Sequence, residues 1–106
     1  MRPRIVCLCG STRFAWAFER ANAEETLNGK IVLSVGCMTH AANLNITEDQ
    51  KAALDVLHKH KIDLADEVLV LNVGGYIGES TRSEIEYAKA AGKPIRYMEE
   101  PDNAII

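Results

Sequence analysis

No run of apolar residues in this sequence is long enough to cross a membrane, and the stretch after Met1-Arg2-Pro3-Arg4 is too short for a signal peptide. The expectation is a soluble, cytoplasmic protein with no membrane partner. Positive charge is not in excess either: 12 Lys and Arg against 15 Asp and Glu leave a formal net charge of −3. Such a balance offers a polyanion no general attraction, so nucleic acid is not an expected partner. Cysteine is scarce. The three present, Cys7, Cys9 and Cys37, are too few and oddly numbered for a disulfide scaffold, which fits a reducing compartment. A metal site from Cys7-x-Cys9 with Cys37-x-x-His40 is disfavoured, because that spacing lacks the usual zinc-ligand pattern. Cys7 and Cys9 read instead as small buried thiols on one face of a strand. No metal and no organic cofactor is expected. Internal repeats, low-complexity tracts and linkers are also missing, so the 106 residues are read as one domain.

What is present is an alternation of short apolar runs and helical patterns. The runs lie at 5–9, 31–35, 68–73 and 94–98, and strands separated by helices imply right-handed crossovers and a parallel sheet. "IVLSV" and "EVLVLNV" are apolar almost without a break, as suits strands covered on both sides. The predicted fold class is α/β: a three-layer α/β/α, flavodoxin- or Rossmann-like arrangement with a mainly parallel sheet of four or five strands. A first helix is expected over 12–28, with Phe14, Ala17, Phe18 and Ala21 on its buried stripe and Gly29 as its stop. Thr47 followed by Gln50 announces a second, with Leu54, Leu57, Lys61 and Leu64 on one face and His58 at its edge. The third begins near Ser80 or Thr81 and ends at Gly92.

In an open parallel sheet, ligands bind beyond the carboxyl ends of the strands, where strand order reverses. Three segments are thereby gathered: "CGSTR", the long loop "GCMTHAANLNI" and "NVGGYIGEST". In the first, Gly10 permits a tight turn, Ser11 and Thr12 offer hydroxyls at a helix start, and Arg13 is able to meet an anion. Simple capping by Ser11 or Thr12 explains the same residues equally well. In the third, Asn72, Gly75, Tyr76, Gly78 and Glu79 lead into Ser80 and Thr81, and the number of glycines exceeds what a plain strand-to-helix turn requires. Thr81 and Glu84, three apart, also fit a capping box that needs no ligand.

"CLCGSTRF", "LADEVLVLN" and "GESTRSEIEYAKAAGKPI" together resemble the nucleoside 2-deoxyribosyltransferase superfamily, including its small nucleoside 5′-monophosphate N-glycosidase members. Glu86 stands where that family usually has glycine. The resemblance implies that Glu84 is the nucleophile that attacks the anomeric carbon. Near the position of the family's second carboxylate stands His58, which is the candidate acid, with His60 and His40 as alternatives. Asp66 is read as a cap or a sugar contact. "GGYIG" followed by a helical glutamate is also similar to the phosphoribohydrolases that release cytokinin bases, with two residues between the glycines where their motif has one.

The activity implied is cleavage or transfer of the base of a nucleoside or nucleoside 5′-monophosphate. In it Ser11, Arg13, Ser80 and Thr81 hold phosphate or ribose, and Tyr76 stacks on the base. A binding protein that captures a nucleotide or a nucleotide-derived signal without cutting it is the alternative. The family also implies a homodimer or higher oligomer, to which the tail "MEEPDNAII" is a candidate contributor.

Overall fold

A computed structural model describes residues 2–40 and 43–100; most of the tail named above, 101–106, and two residues of the long loop lie outside them. Four strands, β1 (Ile5–Gly10), β2 (Ile31–Leu33), β3 (Glu67–Leu71) and β4 (Ile95–Tyr97), alternate with three helices, α1 (Ala15–Leu27), α2 (Glu48–Leu64) and α3 (Glu79–Ala90). The strand order is β2-β1-β3-β4 and every pairing is parallel. Strand order therefore reverses between β1 and β3, the point where a ligand crevice forms in such sheets.

The layers follow from the alternation of side chains along the central strands. On one face of the sheet, Val6, Leu8, Leu69 and Leu71 pack with Ala17, Phe18 and Ala21 of α1. On the other, Cys7, Cys9, Val68 and Val70 pack with Ile62 of α2 and Ile85 and Ala88 of α3. Both faces of β1 and β3 are thus covered, which accounts for their unbroken apolar sequence. The result is the three-layer α/β/α fold expected from the sequence. Among the described residues no helix is long and apolar enough to cross a membrane.

Several boundaries and faces differ from the sequence expectation. The first helix starts at Ala15 rather than residue 12, because residues 11–14 close a turn in which the amide of Phe14 donates to the carbonyl of Ser11 at 3.1 Å. The capping box of α2 forms as read: the Gln50 amide donates to Thr47 Oγ1 at 3.0 Å, and the Thr47 amide to Gln50 Oε1 at 2.9 Å. Its buried face, however, carries His58 and Ile62, while Leu57 and Leu64 are 51% and 66% exposed. A stripe of leucines marks one face of a helix but not which face meets the sheet. The Thr81–Glu84 capping box does not form. Gly78 is the N-cap of α3, so Thr81 and Glu84 lie inside the helix and both are buried.

At the base of the sheet, away from the crevice, Glu67 is 4% exposed and accepts from Arg4 Nε at 2.8 Å and Arg96 Nε at 2.7 Å, with Lys30 Nζ at 3.4 Å. Arg96 and Lys30 also pair with Glu25. A charge buried at the start of a central strand is held by this set of cations.

Candidate functional site

At the carboxyl end of β1 the backbone approaches β3 closely. A Cβ on Gly10 would lie 3.1 Å from Leu71 Cβ and 3.2 Å from Leu71 O, so only glycine fits there without a backbone shift. Beyond this end opens a cavity of about 510 Å³, within the size range of small-molecule sites. Its floor carries Glu84 and His58, and its wall is largely α2. Lys51, Asp55, His58 and Lys61 recur along that helix at intervals of three and four and all face the cavity, as side chains on one side of a helix do.

Glu84 and His58 are 8% and 5% exposed, and Glu84 Oε1 lies 3.9 Å from His58 Nε2. Burial pushes the Glu84 carboxyl above the usual range, although the imidazole beside it favours the charged form. Burial pulls His58 down, but the Cys7 sulfur and the Glu84 carboxylate outweigh it and the net direction is upward. Both directions are upward: burial disfavours the Glu84 carboxylate, while the neighbouring sulfur and carboxylate favour the His58 imidazolium. His58 Nε2 also lies 3.0 Å from the carbonyl oxygen of Leu8, to which it donates when protonated.

Around that floor the polar groups form a rim. Lys51 Nζ donates to Ser80 Oγ at 3.2 Å. Ser80 is the second residue of α3, so a hydroxyl, an ammonium and the positive end of a helix converge there. Opposite, Thr12 Oγ1 lies 3.2 Å from Thr39 Oγ1 and accepts from the amide of His40 at 3.1 Å. That pair of contacts ties the long loop to the turn after β1. Lys61 Nζ donates to Ser34 O at 2.7 Å, between the end of β2 and the start of the same loop.

Of the residues singled out in the sequence, Gly10, Thr12, Cys37, His40, His58, Ser80 and Glu84 line the cavity. The others are placed differently. Ser11 Oγ accepts from the amide of Arg13 at 3.3 Å within the turn, but neither Ser11 nor Thr12 caps the first helix, whose N-cap is Phe14 with no side-chain cap hydrogen bond. The Arg13 guanidinium lies over the Tyr76 ring, 4.7 Å from its centroid, and Phe14 meets the same ring edge-on. Gly78 packs under Tyr76, whose hydroxyl would be 3.2 Å from an added Cβ. Glu79 is exposed in the first turn of α3 and Thr81 is buried in the helix. Asp66 stands at the opposite end of the sheet, paired with Arg2 at 2.7 Å and accepting from the amide of Ile5.

The surplus glycines have a structural explanation. Val73–Gly75 forms a short 3-10 turn in which Gly74 and Gly75 have φ of 62° and 85°, values that favour glycine. Asn72 locks this turn to the chain after β4: its Nδ2 donates to Glu99 O and its Oδ1 accepts from the Glu99 amide, each at 2.9 Å, while the Gly74 amide donates to Glu99 Oε2 at 2.8 Å. Gly75 and Asn72 therefore build the turn rather than the cavity.

Two residues that sequence reasoning passed over are Asp55 and Lys51. The signal was there, since both share a helical face with His58, but the leucine stripe drew the helix the other way. The metal donors weighed from sequence are likewise redistributed. Cys37 is exposed, whereas Cys7, Cys9 and His58 bring two sulfurs and a ring nitrogen within 4.8 Å of one another. Comparison with protein-family models and with curated proteins finds no match for the chain.

Proposed function

We propose that the protein is an N-glycosidase or deoxyribosyltransferase that acts on a nucleoside or a nucleoside 5′-monophosphate with Glu84 as nucleophile. The observation that carries this reading is Glu84 itself, a carboxylate buried at the floor of a ligand-sized cavity, free of any capping duty and faced by an imidazole. In the first half-reaction a Glu84 oxygen forms a bond to C1′ as the C1′–N bond breaks, and the electron pair leaves with the base. His58 keeps the attacking carboxylate ionised through its positive charge. The departing base takes a proton from an imidazole, His58 at the floor or His40 at the rim.

In the second half-reaction Asp55, on the same wall, accepts a proton from the water or base that attacks C1′ and frees Glu84. Lys51, Ser80 and the start of α3 suit a 5′-phosphate, and Thr12 suits a ribose hydroxyl. The apolar side chains that α2 leaves exposed, Val56, Leu57 and Leu64, would supply the contact with a second copy of the chain. A cytoplasmic setting accords with three cysteines that are all unpaired.

The contact of His58 Nε2 with Leu8 O favours the second reading, a protein that binds a nucleotide without cutting it, because it commits that nitrogen to the backbone of β1. Incubation with a panel of ribo- and deoxyribonucleosides and their 5′-monophosphates, followed by chromatography, separates the two. Free base from the wild type and none from Glu84→Gln supports the enzyme. Thermal stabilisation by a member of the panel with no free base from either protein supports the binder.

A further inference from the structure

Beneath the cavity floor, behind Glu84, the side of β1 that faces α2 presents Cys7 and Cys9, each fully buried, to the ring of His58. Nε2 of this ring lies 3.6 Å from Cys7 Sγ and 3.5 Å from Cys9 Sγ. It is also 3.0 Å from Leu8 O. One ring nitrogen has a single direction in which to donate or accept, so its hydrogen bond to the carbonyl and a bond toward the sulfurs exclude one another. For a tetrahedral zinc ion with bonds of about 2.3 Å to sulfur and about 2.0–2.1 Å to nitrogen, the sulfur-to-nitrogen edge is about 3.5–3.6 Å. Both observed distances match it.

We infer that Cys7, Cys9 and His58 form a binding site for a single zinc ion, with its fourth position directed toward Glu84. Two thiolates cancel the charge of the ion and the imidazole binds neutral, so the loaded cluster is neutral and suits a fully buried position. The fourth position stays open to water: an oxygen in direct coordination would lie about 3.3–3.5 Å from Nε2, and Glu84 Oε1 is at 3.9 Å. Loading requires Nε2 to give up its proton and its contact with Leu8 O, and requires both thiols to ionise, so protons are released and affinity rises with pH.

This inference does not rest on the glycosidase reading, but a zinc-bound His58 is neutral and has no proton to give at Nε2, so in the loaded protein the acid would be His40. The test uses reduced, metal-free full-length protein titrated with cobalt(II) as a spectroscopic probe and then with zinc. The wild type is expected to show thiolate-to-cobalt charge-transfer absorption with tetrahedral d–d bands at a single equivalent, and zinc is expected to bleach them. Cys7→Ser, Cys9→Ser and His58→Gln should each weaken binding by at least about 100-fold, at or beyond the top of the range for outer-shell partners, whereas Cys37→Ser should leave it unchanged.

A wild type without thiolate bands overturns the site, and so do bands that survive in both Cys7→Ser and Cys9→Ser or vanish in Cys37→Ser. The wild-type titration decides even where a core variant folds poorly. Glu84→Gln should keep the bands, so loss of base release with retained cobalt binding separates this site from the nucleophile. Absence of cobalt binding alongside Glu84-dependent base release rejects the metal site alone.

Discussion

Replacing Glu67 by glutamine perturbs the fold without touching the cavity, and its cost can be worked out. Burial alone would raise this carboxyl, but hydrogen bonds from Arg4 and Arg96 and the charges of Arg96 and Lys30 outweigh it and hold the group at about 2, against an ordinary 4.5. At about 1.4 kcal/mol for each tenfold change in proton affinity, that difference is worth about 3 kcal/mol in favour of the fold at neutral pH. Arg4 and Arg96 are 55% and 43% exposed, so solvent screening reduces the expected loss to about 2–3 kcal/mol. The sign follows from the depressed value: the stabilisation is complete above the unfolded value of 4.5 and disappears as pH falls through about 2. By linkage, about 40% of it remains at pH 3, so the gap between wild type and Glu67→Gln should shrink to about 1 kcal/mol there. Urea denaturation of both proteins at pH 7 and pH 3 measures it. A gap of equal size at both pH values, or none at pH 7, would refute the reasoning. Ligand binding should be the same in both proteins, because Glu67 lies at the opposite end of β3 from the cavity.

The other expectations concern the cavity. Glu84→Gln should raise the thermal unfolding temperature at pH 7, since a carboxyl whose folded value is raised stabilises the fold only in its protonated form, below the ordinary 4.5, and that contribution is lost as pH rises; a scan at pH 7 and pH 4, with the gain confined to the higher pH, checks it. For the same reason the acid limb of the rate profile should lie above 4.5 and the alkaline limb above 6.5, the ordinary His58 value. Lys51→Ala should raise KM for a nucleoside 5′-monophosphate by about tenfold or more, the loss of one charge-assisted contact, and leave KM for the parent nucleoside unchanged; steady-state kinetics on the two substrates measures the split.

The parallel sheet was legible because β1 and β3 are buried on both faces, and burial on both faces leaves no room for the alternation that makes other strands ambiguous. Thr47 and Gln50 were legible for a local reason, as a capping box is written within four residues. The buried face of α2 was not, because Leu57 and Leu64 are as apolar as a core stripe and only the position of the sheet shows that His58 and Ile62 turn inward. The glycine-rich turn misled in a similar way: positive φ at Gly74 and Gly75 serves the lock formed with Glu99, a partner about 25 residues away that no local pattern reveals. Glu84 and Ser80 lie where the sequence put them, at the start of α3 beside the switch point. Asp55 was hidden by the choice of helix face, and the meeting of Cys7 and Cys9 with His58 depends on a separation of about 50 residues.

The central claim is that Glu84 becomes bonded to the sugar. Rapid acid quench of wild-type protein with the substrate identified by base release, followed by peptide mass analysis, tests it directly. The expected result is a mass increment of one pentosyl or pentosyl 5′-phosphate group on the peptide carrying Glu84, absent from Glu84→Gln. Release of base by Glu84→Gln at the wild-type rate, with no adduct on either protein, would contradict it.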